Sequence, residues 1–176
     1  MQTEDTLHFN SVLEESTNKL WGCHFAIPQV VAETLIAQRE DRRVVCALNE
    51  KTEYQCAMLP RGDGTCLITV NKKLQKELGL TIGSKVQVSL RKDDTEYGLP
   101  MPVELAEVLA QDPEGNRFFH ALTPGKLRTL LYIVAQVKNT DARIARALTI
   151  VDHLKVNNGK VNYRQLGAAI KESVVR

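Results

Sequence analysis

"CHFAIPQVVAETL" at residues 23–35 and "CLITVNKKLQKEL" at residues 66–78 share one pattern, offset by 43 positions. Each begins with apolar side chains at alternate positions, which is the period of a strand with one buried face. Each then carries apolar side chains four residues apart, which form one buried stripe on a helix. The pattern predicts a strand followed by a short helix, made twice. The matching strand positions are Cys23, Phe25 and Ile27 in the first stretch and Cys66, Ile68 and Val70 in the second.

The repeat extends beyond these two stretches. The tripeptide "TEY" occurs at residues 52–54 and again at 95–97, also 43 positions apart. At an offset of 42, one less than 43, the alternating run "RRVVCAL" at 42–48 matches "SKVQVSL" at 84–90. A third copy of the helical pattern, "MPVELAEVL", follows at 101–109. These matches indicate a duplicated strand–helix–strand unit.

The predicted architecture of this part is a small β-barrel or sandwich with short helical caps, over about residues 6–101. Its hairpin turns carry suitable residues, such as Asp63 and Gly64, which tolerate the positive φ of a tight turn. After residue 110 the apolar period changes from 2 to 3.6. We therefore predict two domains, a duplicated barrel at 1–110 and a helical tail at 111–176.

The tail is predicted to begin with a loop, "AQDPEGN" at residues 110–116, and to continue as a helical hairpin and a last helix over 163–175. The first hairpin helix begins at Thr123, with a proline at its first helical position. The tail has few residues for a core of its own, so we expect it to dock on the barrel. The second hairpin helix has one apolar face, formed by Ile144, Ala147, Leu148, Val151 and Leu154.

Composition limits the class of protein. The chain has 176 residues, 43% of them hydrophobic and 25% charged, which is typical of a folded globular protein. No apolar run approaches the roughly 18 residues that a membrane span needs, and the acidic first ten residues lack the apolar region of a signal peptide. The four cysteines show no CxxC spacing, so we expect reduced core thiols and neither a metal site nor a cofactor. We expect a cytoplasmic protein without membrane insertion.

Basic side chains are concentrated in the tail, where eleven basic residues outnumber five acidic ones. Lys126 and Arg128 fall in the first turns of the helix that begins at Thr123, where carboxylates are normally favoured. Arg143 and Arg146 lie one turn apart on the next helix. If the hairpin brings these four together, they are candidate residues for binding a phosphate, a carboxylate or a partner. The alternative is that they are solvated surface charges.

Catalytic patterns are absent from the sequence. It contains neither the GxSxG nucleophile elbow, nor the HExxH zinc pattern, nor a P-loop. The four histidines have no neighbours at ligand spacing. The carboxylate pairs Glu14–Glu15 and Asp93–Asp94 are predicted to lie solvated in hairpin turns. We therefore expect a protein that is not an enzyme.

Three segments in this order resemble one bacterial family. They are "LPRGDGTCLITVNKKLQKELGLTIGSKVQVSL" at 59–90, "MPVELAEVL" at 101–109 and "RIARALTIVDHL" at 143–154. The chain is similar to the YdeI/OmpD-associated, or bacteriocin-protection, family, preceded by a barrel domain of unknown function. The resemblance implies a mainly β plus α fold, with a double-split β-barrel like that of AbrB-type transcription factors and a C-terminal helical tail. Both pseudo-symmetric halves would come from one chain, so the barrel is expected to be monomer-competent.

Two functions follow from these expectations. The first is a non-catalytic cytoplasmic protein that binds an unknown protein or a small anionic ligand. The resemblance links it to envelope or antimicrobial-peptide stress resistance. The alternative is a nucleic-acid-binding regulator like AbrB. Against the alternative, the barrel half carries no net positive charge, and only 5% of residues are aromatic, which gives few platforms for base stacking.

Overall fold

A computed structural model describes residues 5–17, 22–38 and 41–174, and its chain separates into two compact units, residues 1–94 and 95–176. The fold is mixed β plus α, with two antiparallel sheets followed by a helical part. Within the described residues, the first unit contains strands β1 (Leu7–Val12), β2 (Glu14–Glu15), β3 (Cys23–Ile27), β4 (Arg43–Leu48), β5 (Tyr54–Ala57), β6 (Leu59–Pro60), β7 (Cys66–Val70) and β8 (Lys85–Lys92), with helices α1 (Gln29–Gln38) and α2 (Lys72–Leu78). The second unit contains helices α3 (Val103–Gln111), α4 (Pro113–His120), α5 (Pro124–Ala135), α6 (Thr140–Val156) and α7 (Tyr163–Val174).

The two sheets of the first unit have the strand orders β1-β8-β4-β5 and β2-β3-β7-β6. Each has at its centre two strands that the sequence predicted to be equivalent. In the β3–β7 pair, Phe25 lies opposite Ile68, its equivalent at an offset of 43. In the β4–β8 pair, Ala47 lies opposite Ser89, 42 positions further along. Two halves related by a local two-fold axis would pair in this way.

The alternating strand positions are buried as expected. Cys23, Phe25, Ile27, Ile68 and Val70 are each at most 2% exposed. They belong to one core to which both sheets contribute. Cys46 and Cys66 are also buried, whereas Cys56 is only half-buried. Burial raises the pKa of the Cys23 thiol, which keeps it in the neutral form that a core requires.

The prediction that "TEY" extends the repeat is wrong. Tyr54 lies in β5, opposite Cys46, whereas Tyr97 lies in an irregular segment of the second unit. The strand register gives Tyr54 a different equivalent. Tyr54 lies opposite Cys46 in β4, whose equivalent in β8 is Val88, and the residue opposite Val88 is Phe9 in β1. The tripeptide therefore recurs without a shared structural role.

The third copy of the helical pattern is likewise outside the first unit. It forms α3, whose Leu105 and Leu109 are buried in the core of the second unit. An apolar pair four residues apart stabilises any short helix that packs on one side, so the pattern alone does not identify the domain. The units separate between Asp94 and Thr95, whereas the sequence placed the boundary after residue 110. In the described residues the two sheets are not joined into a closed barrel.

The helical unit has a core of its own, which the sequence did not predict. Helix α6 is at its centre and packs against α3, α4, α5 and α7. The predicted loop at 110–116 instead contains the start of α4, because the Asp112 side chain caps the helix at the Gly115 amide and Pro113 occupies its first turn. The buried residues of this core are Leu105, Leu109, Phe119, Leu122, Leu130, Leu131, Val134, Ala147, Ile150, Val151, Leu154 and Leu166.

The buried face of α6 differs from the predicted one. Ala147, Val151 and Leu154 are buried as expected, but Ile144 is 39% exposed and Leu148 is 49% exposed. Since α6 carries apolar side chains on more than one side, periodicity could not identify the side that faces the core. The last helix ends at Val174, and residue 175 of its predicted span lies outside the described residues.

The prediction for the two carboxylate pairs is confirmed in part: Glu14, Glu15 and Asp94 are exposed as expected, whereas the turn position of the first pair and the solvation of Asp93 are wrong. Glu14 and Glu15 form strand β2. Asp93 is only 2% exposed, and Gln55 Nε2 donates hydrogen bonds to its two carboxylate oxygens, at 3.3 and 3.1 Å. Among the helices of the described ranges, none is long and apolar enough to cross a membrane.

Gly115 is a sensitive position in the second core. A Cβ atom there would lie 2.3 Å from Val151 Cγ1. We therefore expect Gly115→Ala to lower the free energy of unfolding by about 1–3 kcal/mol through overpacking. Gly167→Ala is the matched control, because no atom other than those of its chain neighbours and its own helix backbone lies within 4 Å of its Cβ position, and alanine favours a helix by about 0.5–1 kcal/mol. Thermal unfolding followed by circular dichroism at 222 nm measures both, and equal stability of the two variants would contradict the packing argument.

A second prediction concerns oligomeric state. Because one chain supplies both central strand pairs of the first unit, we expect it to fold without exchanging strands with another chain. Light scattering coupled to size exclusion should give a mass near the 19.7 kDa of one chain at low micromolar concentration. An obligate dimer that dissociates only on unfolding would contradict this expectation.

Candidate functional site

An open groove lies between α6 and α7 in the second unit. Its volume is about 590 Å³. The residues on the α6 side are spaced three or four apart, so they share one helix face. The α7 side has the same spacing. The lining residues are Ala145, Leu148, Thr149, Asp152, His153, Val156 and Asn157 from α6 and its end, and Gln165, Ala169, Glu172 and Ser173 from α7.

Two exposed apolar side chains line this groove. Leu148 is 49% exposed and Val156 is 81% exposed, and both line the cavity. Ala145 and Ala169 provide small side chains on opposite walls, which leave the space open. An exposed apolar surface of this kind, rimmed by polar groups, is typical of an interaction site.

The charge of the groove differs from that of the surrounding unit. Asp152 and Glu172 supply carboxylates from the two walls, and among residues 5–17, 22–38 and 41–174 no lysine or arginine lines the groove. Residues 95–176 contain eleven basic and eight acidic side chains, so the unit as a whole is positive. The groove is therefore a locally acidic, partly apolar surface on a basic unit.

His153 fixes the junction of the two helices beneath the groove. It is 9% exposed, and its Nε2 accepts a hydrogen bond from the backbone N–H of Asn162 at 3.1 Å. Asn157 Nδ2 lies 3.3 Å from the other ring nitrogen. Burial lowers the pKa of His153, so the neutral ring is favoured. The connection then turns through Asn158 and Gly159, which both have positive φ.

Arg143 and Arg146, two of the four cations predicted to form an anion site, are engaged with the chain itself. Arg143 Nε donates to the carbonyl oxygen of Val137, and Arg146 Nη1 donates to that of Ile133, each at 2.7 Å. These carbonyls lie at the C-terminal end of α5, where the helix leaves acceptors unpaired and the dipole is negative. The two arginines therefore cap α5.

The other two predicted cations lie at the opposite end of α5. Lys126 is exposed and Arg128 is half-buried, both near the N-terminus of that helix. At 1.5 Å per residue, Lys126 is about 10 Å along the axis from Ile133, which Arg146 contacts. The four cations thus form two groups, and a single site built from all of them is not assembled. Anion binding by Lys126 and Arg128 stays a prediction.

A carboxylate accompanies the arginine pair. Glu104 Oε1 lies 3.6 Å from Arg143 Nη1, and the glutamate side chain is only 13% exposed. Arg146 Nε and Glu104 Oε2 are buried and have no hydrogen-bond partner among the described residues. This acidic neighbour makes the arginine pair a poor site for an anion.

A second polar cluster, in the first unit, was not predicted from the sequence. His24, 6% exposed, lies with its Nδ1 2.9 Å from Ser16 Oγ and its Nε2 3.2 Å from Glu14 Oε2. Arg61 Nη2 lies 3.3 Å from the same Nε2. These side chains satisfy one another and connect β2, β3 and the loop after β6. The pairings of β2 with β3, β3 with β7 and β6 with β7 bring them together, and sequence spacing does not reveal those registers.

Comparisons with known families agree with the division of the chain. Residues 9–90 match the family model described as "Domain of unknown function (DUF1905)". Residues 99–157 match the model described as "Bacteriocin-protection, YdeI or OmpD-Associated". Together the two matches support the family resemblance predicted from the sequence. The second match includes α6 and ends before α7, the other wall of the groove. A search of curated proteins gave no match.

The lowered pKa of His153 predicts a pH dependence of stability. The unfolded chain binds a proton at this ring more readily than the folded one. The contribution of neutral His153 to the free energy of unfolding is therefore complete above about pH 6.5. It is lost as the pH falls through the folded-state pKa. His153→Gln keeps an acceptor but cannot titrate, so its loss of stability between pH 7.5 and 5.5 should be smaller than that of the unmodified protein. Urea unfolding followed at 222 nm measures this.

The two proteins differ only at residue 153, so the difference in their pH dependence isolates His153. Equal pH dependence would contradict the assignment.

His153→Ala removes the acceptor for the Asn162 amide. This substitution should lower the free energy of unfolding by about 1–3 kcal/mol at pH 7.5, because it leaves a buried donor unpaired.

Proposed function

We propose that this protein is a non-catalytic cytoplasmic binding protein whose role is in resistance to envelope or antimicrobial-peptide stress. Its interaction site is the groove between α6 and α7. The exposure of Leu148 and Val156 in an open groove is the observation that carries the proposal. An apolar surface that remains open in a single chain gains free energy when a partner covers it.

The stress role is supported by the match of residues 99–157 to the bacteriocin-protection family. That match covers α6, which supplies most of the groove's lining. In this proposal the first unit is a scaffold, a double-split barrel of the AbrB type made within one chain. The face-to-face register of Phe25 with Ile68 and of Ala47 with Ser89 supports that architecture. The protein acts as a monomer.

Nucleic-acid binding is not favoured by any observation at the described residues. Arg143 and Arg146 donate to backbone carbonyl groups at the C-terminal end of α5, so two of the basic side chains that motivated this alternative are already engaged within the chain. The groove itself carries carboxylates, which repel phosphate. An interaction with a protein is more consistent with both observations.

The proposal is tested by survival of bacterial cells that produce the protein during challenge with a bacteriocin or a membrane-active antimicrobial peptide. Cells with the unmodified protein should survive better than cells with an empty vector. Ala169→Trp fills the groove from the α7 wall and should return survival to the vector level. Ala106→Trp is the matched control, because Ala106 is exposed on α3 and does not line the groove.

Two results would contradict the proposal. Equal survival with and without the protein would remove the stress role. Full protection by Ala169→Trp, at the same protein level and with the same circular dichroism spectrum, would remove the groove as the site.

A further inference from the structure

We propose that the groove between α6 and α7 receives a preformed amphipathic helix, rich in lysine or arginine, from a partner protein. The inference rests on the proposed function, because it names the occupant of the same site. Its basis is the shape of the groove, the exposed apolar side chains that line it and the sign of its charges.

The shape of the groove suits a short helix. Its α6 wall extends from Ala145 to Val156, twelve residues along one helix, or about 16 Å at a rise of 1.5 Å per residue. That length matches about three turns of a bound helix. The apolar side chains of such a helix, spaced three and four apart, would lie against Leu148 and Val156.

The charges select a basic partner. Asp152 on α6 and Glu172 on α7 supply a carboxylate from each wall of the groove, and none of the described residues that line it is a cation. A helix with lysine or arginine flanking its apolar stripe can place positive charge near both carboxylates at once. An acidic helix of the same shape would meet repulsion on both sides.

A second copy of this chain fits the groove less well than a different partner. Two copies joined groove to groove would bring the carboxylates of Asp152 and Glu172 from both copies together. A two-fold contact is self-complementary, so no cation from the groove would offset them. The occupant is therefore a different protein.

The small area of the groove favours a helix that is already folded. A short isolated peptide is mostly unfolded in water and must pay the entropy of forming a helix when it binds. A segment that is helical within a folded partner does not. We therefore assign the occupant to a partner protein and not to a free linear peptide.

Three probe peptides of fourteen residues test the assignment by fluorescence anisotropy. The first has leucine at helical spacing with lysine elsewhere and is stapled into a helix by a side-chain lactam. The second is its linear form, and the third is the stapled form with glutamate replacing lysine. We expect measurable binding of the first at micromolar concentration, weaker binding of the second and none of the third. Binding of the first should weaken as salt is raised.

Matched variants locate the binding. Asp152→Asn with Glu172→Gln should weaken binding of the stapled lysine peptide by about three- to tenfold, as expected for two exposed charge contacts. Ala169→Trp should abolish it. Glu77→Gln with Glu107→Gln changes the net charge equally at exposed positions outside the groove and should leave binding unchanged.

Each contrary result overturns a defined part of the inference. Equal binding of the lysine and glutamate peptides would overturn the basic partner, and equal binding of the stapled and linear forms would overturn the preformed helix. Self-association that Ala169→Trp disperses would identify a second copy as the occupant. If no probe binds but Ala169→Trp still abolishes protection of cells, the inference fails while the proposed function stands. If both assays fail, neither stands.

Discussion

The first unit depends on two antiparallel strand pairs, β3 with β7 and β4 with β8. Each is at the centre of its sheet, and the side chains of both fill one shared core. A slip of one residue in either pair would move the side chains that fill this core to the other face of the sheet. The burial of Phe25 and Ile68, which face each other, therefore fixes the register of the sheet. The outer strands β1, β2, β5 and β6 are placed by pairing with these four.

The second unit is organised by one helix. Helix α6 packs against four others, and its buried face is set by them and not by its own apolar pattern. Because α7 covers only part of the remaining surface, Leu148 and Val156 stay exposed between the two helices. The groove therefore results from packing around a helix that is apolar on more than one side. Arg143 and Arg146 lie on the same helix, and its packing against α5 lets them donate hydrogen bonds to backbone carbonyls at the end of α5.

The central strands and most helices could be predicted because their patterns are local. Alternation at Cys23, Phe25 and Ile27 depends only on the neighbouring residues, and the structure buries all three. Burial of Asp93 could not be predicted, since its partner Gln55 is 38 residues away. The groove was missed because Leu148 was assigned to the core by periodicity, which cannot show where neighbouring helices end. The "TEY" match misled because a tripeptide carries no information on register.

The pairing of β1 with β8 has a consequence for folding during synthesis. Leu7 lies opposite Leu90, so β1 has no partner in its sheet until β8, more than seventy residues later, has left the ribosome. Strand pairings across such distances form slowly, whereas helical units with local contacts form quickly. The helical unit, although made later, can reach its native packing with contacts that are closer in sequence. The period in which nascent β1 is unpaired is therefore the time at which this protein most needs protection from aggregation.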